Sequence, residues 1–119
     1  MRAIRHLAAM AVLGTLLLVA PATARAETTA TSTITQIKMV EKSHANYRLF
    51  HGAIWLDYDK ATQNYRWGGA HCKNQGVGEL NLSLLFAAFR SKFSVNIDYK
   101  VMSYQDREYR CITGFSVTR

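Results

Sequence analysis

The chain is short and mildly basic, which limits both its size class and its partners. It has 119 residues, with 15 Lys and Arg against eight Asp and Glu, and a formal net charge of +7. This length suits one small domain, in which core burial alone gives modest stability. The first 26 residues carry three of the basic residues and no acidic one, so the rest has a net charge of +4, which is weak evidence for an acidic partner.

The first 26 residues predict a secretory signal peptide. Arg2 and Arg5 precede an apolar run from Leu7 to Ala20, and small residues lead to Ala26. The run is short for a membrane span and ends in an A-x-A-like segment, so we expect cleavage after Ala26, with an uncleaved anchor as the alternative. No later segment is apolar over ~18 residues. We therefore expect an exported protein, periplasmic or secreted, with no membrane span and a single binding domain at residues 27–119.

Five strands and one helix are predicted in the order β-β-β-α-β-β. Apolar stretches bounded by polar turns place the strands at residues 32–42, 47–58, 65–73, 94–101 and 109–118. Gly52 interrupts the second strand and is a candidate bulge. A polar hairpin loop at residues 103–108 joins the last two strands. The fold class is therefore mainly β with one helix.

The helix is the clearest element, because the hydrophobic period changes from helical to strand-like within one run of sequence. Its apolar face repeats at helical spacing and comprises Leu82, Leu85, Phe86, Phe89 and Phe93. Asn81 is a reasonable N-cap. The opposite side is small or polar, and it could pack against neighbouring helices through Ser83, Ala87, Arg90 and Ser91. In the strand that follows, polar residues alternate with Val95, Ile97, Tyr99 and Val101.

This order of elements favours a small five-stranded barrel that is closed or nearly closed. Closure removes exposed strand edges, and the helix would cover one opening of the barrel. A helix between the third and fourth strands is the order found in the OB-fold. An open sheet with one helix packed on it is the alternative.

The two cysteines, Cys72 and Cys111, predict a disulfide. Both lie in the part expected to be exported, where two cysteines in so small a domain are expected to pair. Their bond closes a loop of about 40 residues and would contribute roughly 3–4 kcal/mol. Free thiols or an intermolecular bond are the alternatives. A zinc site is disfavoured, because His71 and Cys72 are adjacent and no second ligand pair has suitable spacing.

The sequence carries no motif for catalysis, so we expect a binding protein rather than an enzyme, with no cofactor and no metal. It has no nucleophile-elbow serine, glycine-rich phosphate loop or HExxH. Asp57 and Asp59 could bind a cation, but such a pair in a turn is usually solvated. The many Tyr and Trp residues suit binding of sugars or protein partners. A basic aromatic barrel could bind nucleic acid, but export argues against it.

Short motifs across the chain resemble the binding subunits of the subtilase cytotoxin and typhoid toxin group. The resemblance spans roughly residues 32–117 and is carried, in order, by Ile34-Thr35-Gln36, Ala70-His71-Cys72-Lys73-Asn74, the helix-to-strand unit at residues 82–100, and Ile112-Thr113-Gly114-Phe115-Ser116. Proteins of this group are OB-fold subunits that assemble as pentameric rings and bind sialylated glycans. The resemblance therefore implies the same fold, assembly and ligand class for this chain.

The resemblance also implies a glycan site near Tyr99, which matches the family's sugar-facing tyrosine after the helix. A family serine ahead of the first strand is replaced here by Ala30, so we expect Thr31 or Ser32 to assist. The family's second-strand cysteine, which pairs with the counterpart of Cys72, is replaced here by Leu49, so Cys72 pairs either with Cys111 or with no residue of this chain. Tyr99 also belongs to the alternating apolar set, so ordinary barrel packing is the alternative for this residue.

Two functional classes remain open. The first is a secreted toxin B subunit that forms a homo-oligomeric ring, expected to be a pentamer. It would bind a host cell-surface glycan and deliver a separate enzymatic subunit. The second is a monomeric periplasmic or secreted binding or inhibitor protein that uses the same barrel.

Overall fold

The computed structural model describes residues 25–119. Most of the predicted signal peptide, residues 1–24, lies outside the described residues. Its last two residues, Arg25 and Ala26, belong to a first strand, β1 (Arg25–Thr28), which the sequence analysis did not predict. All of its residues are exposed, so it lacks the apolar alternation by which strands are recognised.

Six strands and one helix make up the described domain, which is mainly β. After β1 come β2 (Ser32–Met39), β3 (Gly52–Leu56), β4 (Tyr65–Trp67), α1 (Glu79–Ser91), β5 (Ser94–Tyr104) and β6 (Arg107–Thr118). A 3-10 turn, Ala45–Arg48, precedes β3, and another, Ala70–Cys72, follows β4. The predicted order of strands and helix is therefore confirmed from β2 onward.

Five of the six strands pair in a partly closed ring. β2 pairs with β3, β3 with β4, β4 with β6, β6 with β5, and β5 with β2, while β1 pairs with β5. The β4–β6 pairing is parallel and the others are antiparallel. The β2–β5 and β4–β6 junctions are short, with two residue pairs each. The ring therefore depends on interactions beyond the strand ladder at these junctions.

β5 and β6 form the longest pairing of the sheet. It runs from Ser94 opposite Thr118 to Tyr104 opposite Arg107. The two strands are joined by Gln105 and Asp106, whose φ angles of 48° and 65° are typical of a two-residue type I′ turn. The predicted hairpin at residues 103–108 is therefore confirmed, but its loop is shorter than predicted, because four of these six residues continue the ladder.

Two segments predicted as strand form 3-10 turns instead. The turn Ala45–Arg48 includes the start of the predicted second strand, and Ala70–Cys72 replaces the end of the third. The His44 side chain caps the first turn by accepting a hydrogen bond from the Asn46 backbone N–H at 3.0 Å. Local capping and tertiary packing thus override the strand preference of these aromatic-rich segments.

Gly52 permits close packing and does not form the predicted bulge. It pairs regularly with Met39 and Trp67, and a Cβ atom at this position would overlap the Trp67 ring. The register shift of this part of the sheet lies in β2, between Ile34 and Gln36.

The helix contacts the core through Leu85 and Ala88, which are both fully buried. The predicted apolar face is therefore partly wrong. Leu82 and Phe86 are half-buried, and Phe89 is 37% exposed. The small Ala88 side chain lets the helix approach the sheet closely, so a pattern of large apolar residues misses it.

The start of α1 and its outer side also differ from the prediction. Gly78, rather than Asn81, is the N-cap, and it makes no side-chain capping bond. Leu80 and Leu84 are 84% and 53% exposed. The outer side is therefore more apolar than predicted. Among the residues assigned to that side, Ala87 is half-buried, and the exposed ones are Ser83, Arg90 and Ser91.

The predicted disulfide between Cys72 and Cys111 is confirmed. The Cα atoms are 5.5 Å apart, and both residues are fully buried. Cys111 lies opposite Arg66 in the parallel β4–β6 pairing, and Cys72 ends the turn after β4. The bond therefore ties β6 to the segment that leaves β4.

Replacement of Leu85 by Ala should destabilise the domain by roughly 2–5 kcal/mol, because it removes a fully buried side chain and leaves a cavity. Asn81→Ala is the matched control on the same helix. Since Asn81 is exposed, its loss should change the free energy of unfolding by less than about 0.5 kcal/mol. Denaturant melts measure both values, and equal losses would contradict the buried face described here.

Replacement of both cysteines by Ala should lower the free energy of unfolding by roughly 3–4 kcal/mol, since the cross-link restricts the unfolded chain. Denaturant melts of the double variant and of wild type with and without reductant measure this loss. Mass mapping under non-reducing conditions provides the direct check. Two free thiols in periplasmic material would contradict the Cys72–Cys111 bond.

Candidate functional site

A groove of about 610 Å³ lies where β1, β4, β5 and β6 meet the loop before β4. We call it the polar groove. Its lining is rich in charged and amide side chains, and it comprises Arg25, Glu27, Thr62, Gln63, Asn64, Arg66, Tyr99, Val101, Arg107, Glu108, Tyr109 and Arg110. Since both hydrogen-bond donors and acceptors are present, the groove is suited to a polar ligand.

A charge-assisted network stabilises the inner wall of the polar groove. Arg110 Nη1 donates to Tyr65 Oη at 2.9 Å, and Tyr65 Oη donates to Asp59 Oδ2 at 2.6 Å. Arg110 Nη1 also lies 3.6 Å from Asp59 Oδ1. Burial, together with the hydrogen bond to Asp59, raises the pKa of Tyr65 well above its usual value. Tyr65 therefore stays protonated, and Asp59 is committed to this network rather than to a bound cation.

Tyr99 belongs to both the core and the polar groove. It is 9% exposed, and its ring meets Tyr65 edge to face with the centroids 5.2 Å apart. The guanidinium of Arg110 lies 5.5 Å from the centroid of the Tyr99 ring. Burial raises the pKa of Tyr99, with Arg110 opposing the shift and Glu27 adding to it. The groove thus offers a ligand one edge of a firmly packed, neutral tyrosine.

Thr31 and Ser32 do not line the polar groove. The Thr31 hydroxyl accepts a hydrogen bond from Asn96 Nδ2 at 3.0 Å, and Ser32 Oγ accepts one from the Tyr58 backbone N–H at 3.3 Å. Ser32 lies opposite Val95 on β5. Tyr99 is four residues further along this strand, which corresponds to roughly 13 Å. The three residues predicted to bind glycan therefore lie in two separate places, with Thr31 and Ser32 beside the start of β5 and Tyr99 further along it.

Arg66 and His71 form a second polar cluster, outside the predicted site. Arg66 Nη1 lies 2.7 Å from His71 Nδ1, and its guanidinium packs between the rings of Phe50 and Tyr109 at 4.2 and 4.8 Å. The His71 ring stacks on Tyr109, with the centroids 3.9 Å apart. Burial lowers the pKa of Arg66. Arg66 nevertheless keeps its positive charge, and the aromatic rings of Phe50 and Tyr109 are its neighbours.

His71 is neutral in this cluster. Burial, and then the charge of Arg66, lower the pKa of its imidazole. An arginine can only donate hydrogen bonds, so Nδ1 must accept and the ring proton must lie on Nε2. His71 thus presents a donor on the side away from Arg66.

A second cleft of about 310 Å³ opens beside this cluster, and we call it the aromatic cleft. It is lined by Leu49, His71, Tyr104, Gln105, Arg107 and Tyr109. Arg107 and Tyr109 line both cavities. The sequence analysis considered His71 only as a neighbour of Cys72. Arg66 and His71 lie on either side of Gly68-Gly69, and this proximity was the one signal in the sequence for the cluster. Their aromatic partners Phe50 and Tyr109 are remote in sequence and could not be inferred.

The described residues offer little else of chemical interest. Among residues 25–119, no group of three or more His, Cys, Asp and Glu side chains could hold a metal ion. In the same range, no helix is long and apolar enough to cross a membrane.

Comparison with known proteins returned no match to any family model, curated protein or solved structure.

The stability of the protein should fall as the pH drops below about 6.5, the usual pKa of histidine. In that range the unfolded chain binds a proton that the folded state, with the lowered pKa of His71, does not bind. His71→Asn should flatten this dependence. Denaturant melts across this pH range measure it, and a wild-type curve no steeper than that of the variant would contradict the assignment.

In an NMR titration, Arg66→Gln should raise the pKa of His71, because the neighbouring charge is lost.

Proposed function

We propose that the protein is a secreted glycan-binding subunit that assembles into a ring and delivers a separate enzymatic subunit to host cells. The observation that carries the proposal is the position of Tyr99 on the wall of a polar groove. The proposal further rests on the motif resemblance to toxin binding subunits. In this proposal the groove of each subunit binds one sugar, and the ring presents several such grooves.

The pairing of the strands supports an OB-type barrel, which is the finer part of the proposed fold. The order β2-β3-β4-β6-β5 returns to β2, and the helix lies between β4 and β5 in sequence. A parallel pairing of β4 with β6 is what an OB-type connection requires, because the chain must cross from one end of the barrel to the other. Barrels of this kind bind oligosaccharides on a strand face and its adjoining loops.

The composition of the groove supports a sugar ligand. The amides of Gln63 and Asn64 and the hydroxyl of Thr62 can each donate and accept hydrogen bonds, as sugar hydroxyls require. Tyr99 contributes one edge of its ring to the groove, and Tyr109 adds further aromatic surface. Thr31 and Ser32 would then contact a sugar only if the glycan extended along β5 beyond the groove.

The helix supports assembly into a ring. Leu80 and Leu84 are exposed on α1, and a neighbouring subunit would remove them from water. A shallow groove binds one sugar weakly, so several sites on one face would be needed for firm attachment through avidity. A pentamer is the assembly implied by the resemblance.

A monomeric periplasmic or secreted binding or inhibitor protein is the second candidate. The alternation of charge in the polar groove favours it, since Glu27, Arg107 and Glu108 could pair with charged side chains of a protein partner.

Tyr99→Phe should weaken glycan binding about threefold to tenfold, the value of one hydrogen bond, without loss of folding. Tyr99→Ala should abolish binding. A glycan array with the mature protein measures the effect, and Tyr47→Phe is the matched control, because Tyr47 is partly exposed and does not line the groove. Size-exclusion chromatography with light scattering gives the oligomeric state. A monomer that binds no glycan would overturn the toxin-subunit proposal in favour of the second candidate.

A further inference from the structure

The aromatic cleft presents hydrogen-bond donors, and no carboxylate lines it. Of the six residues that line it, Arg107 is charged, and within this lining no Asp or Glu is present. Asp106 and Glu108 flank Arg107 in sequence, but neither lines the cleft, and Glu108 lines the polar groove. The two cavities therefore differ in electrostatic character, although they share Arg107 and Tyr109.

His71 supplies a fixed donor to this cleft. Its side chain is 94% buried, given an exposed fraction of 6%. Nδ1 is occupied by Arg66, and the hydrogen bonds found within residues 25–119 do not use Nε2. No side-chain nitrogen or oxygen in that range is both sealed from solvent and without a partner. The Nε2–H group is therefore not sealed from solvent, and the aromatic cleft is a cavity that His71 lines.

Arg66, which is bonded to His71 Nδ1, also lacks a counter-ion within residues 25–119. The ion pair found within residues 25–119 joins Arg110 to Asp59, so Arg66 has no carboxylate partner in that range. Its hydrogen-bond partners are Asn64 and His71, which are both neutral. Arg66 and Arg107 thus create a positive potential around the His71 donor, which an anion would offset.

We propose that the aromatic cleft binds an oxyanion group, a carboxylate or a sulfate ester, through Arg107 and His71 Nε2–H. The rings of Tyr104 and Tyr109 form its walls. At about 310 Å³ the cleft is larger than a single oxyanion, so this group belongs to a larger ligand that extends past it. The site is separate from Tyr99 and does not depend on the glycan function proposed for the polar groove.

The test uses inorganic sulfate and acetate as probes near pH 7, where His71 is neutral. NMR of the imidazole nitrogens follows Nε2–H, with chloride at matched ionic strength as the reference. We expect a saturable shift of this signal with sulfate, acetate or both, and the effective anion identifies the class of ligand. Arg107→Gln should weaken binding at least about tenfold, the loss of one charge-assisted hydrogen bond, and Arg107→Lys should retain part of it.

Arg90→Gln is the matched control, because it removes the same charge from an exposed position on α1. It should leave binding unchanged. If Arg107→Gln and Arg90→Gln had equal effects, or if chloride gave the same shift, the shift would reflect nonspecific screening of the protein's charge by salt. Either result would overturn the proposal. The absence of a saturable shift would overturn it as well. Tyr99→Phe should not alter the response, and a loss with this variant would assign the anion to the polar groove instead.

Discussion

The parallel junction between β4 and β6 is the constraint on which both cavities depend. Only two residue pairs join these strands, yet this pairing brings the two ends of the partly closed ring together. The Cys72–Cys111 bond links β6 to the turn that directly follows β4. A cross-link acts mainly by restricting the unfolded chain. The disulfide therefore favours the β4–β6 pairing even though few backbone hydrogen bonds join these strands. A covalent tie therefore replaces the backbone hydrogen bonds that a three-residue strand cannot supply.

The two sides of this junction carry different chemistry. Tyr65 lies opposite Arg110, and Arg66 lies opposite Cys111. Successive residues of a strand point to opposite faces, so the Tyr65–Arg110 network forms on one side and the Arg66–His71 pair on the other. The turn Ala70–Cys72 brings His71 to the second side and is held there by the disulfide. A shift of this junction would consequently disturb the polar groove and the aromatic cleft together.

The elements that could be predicted from the sequence are those specified by local patterns. The change of period before Ser94 indicated α1 and β5, and export chemistry indicated the disulfide. β1 could not be predicted, because its exposed residues are ordered only by pairing with β5. For the candidate site, the resemblance implied Tyr99, which lines the polar groove, but nothing in the sequence indicated its surroundings. The arginines that line the groove come from β1, β4 and β6, and no local pattern indicates which residues a strand will meet across a ring.

The two arginines at the junction differ in how their charge is offset. Arg110 is balanced by Asp59 and is bonded to Tyr65, so its cost of burial is largely repaid within the fold. Arg66 has two aromatic faces and a neutral imidazole as neighbours, and its pKa is lowered by burial. Cation–π contacts offset part of this cost, on the order of 1–2 kcal/mol, but they supply no negative charge. Arg66 is half-buried, so solvent offsets part of the rest. Since no carboxylate within residues 25–119 pairs with Arg66, the Arg66 side of the junction is a place where an anion would complete the electrostatics.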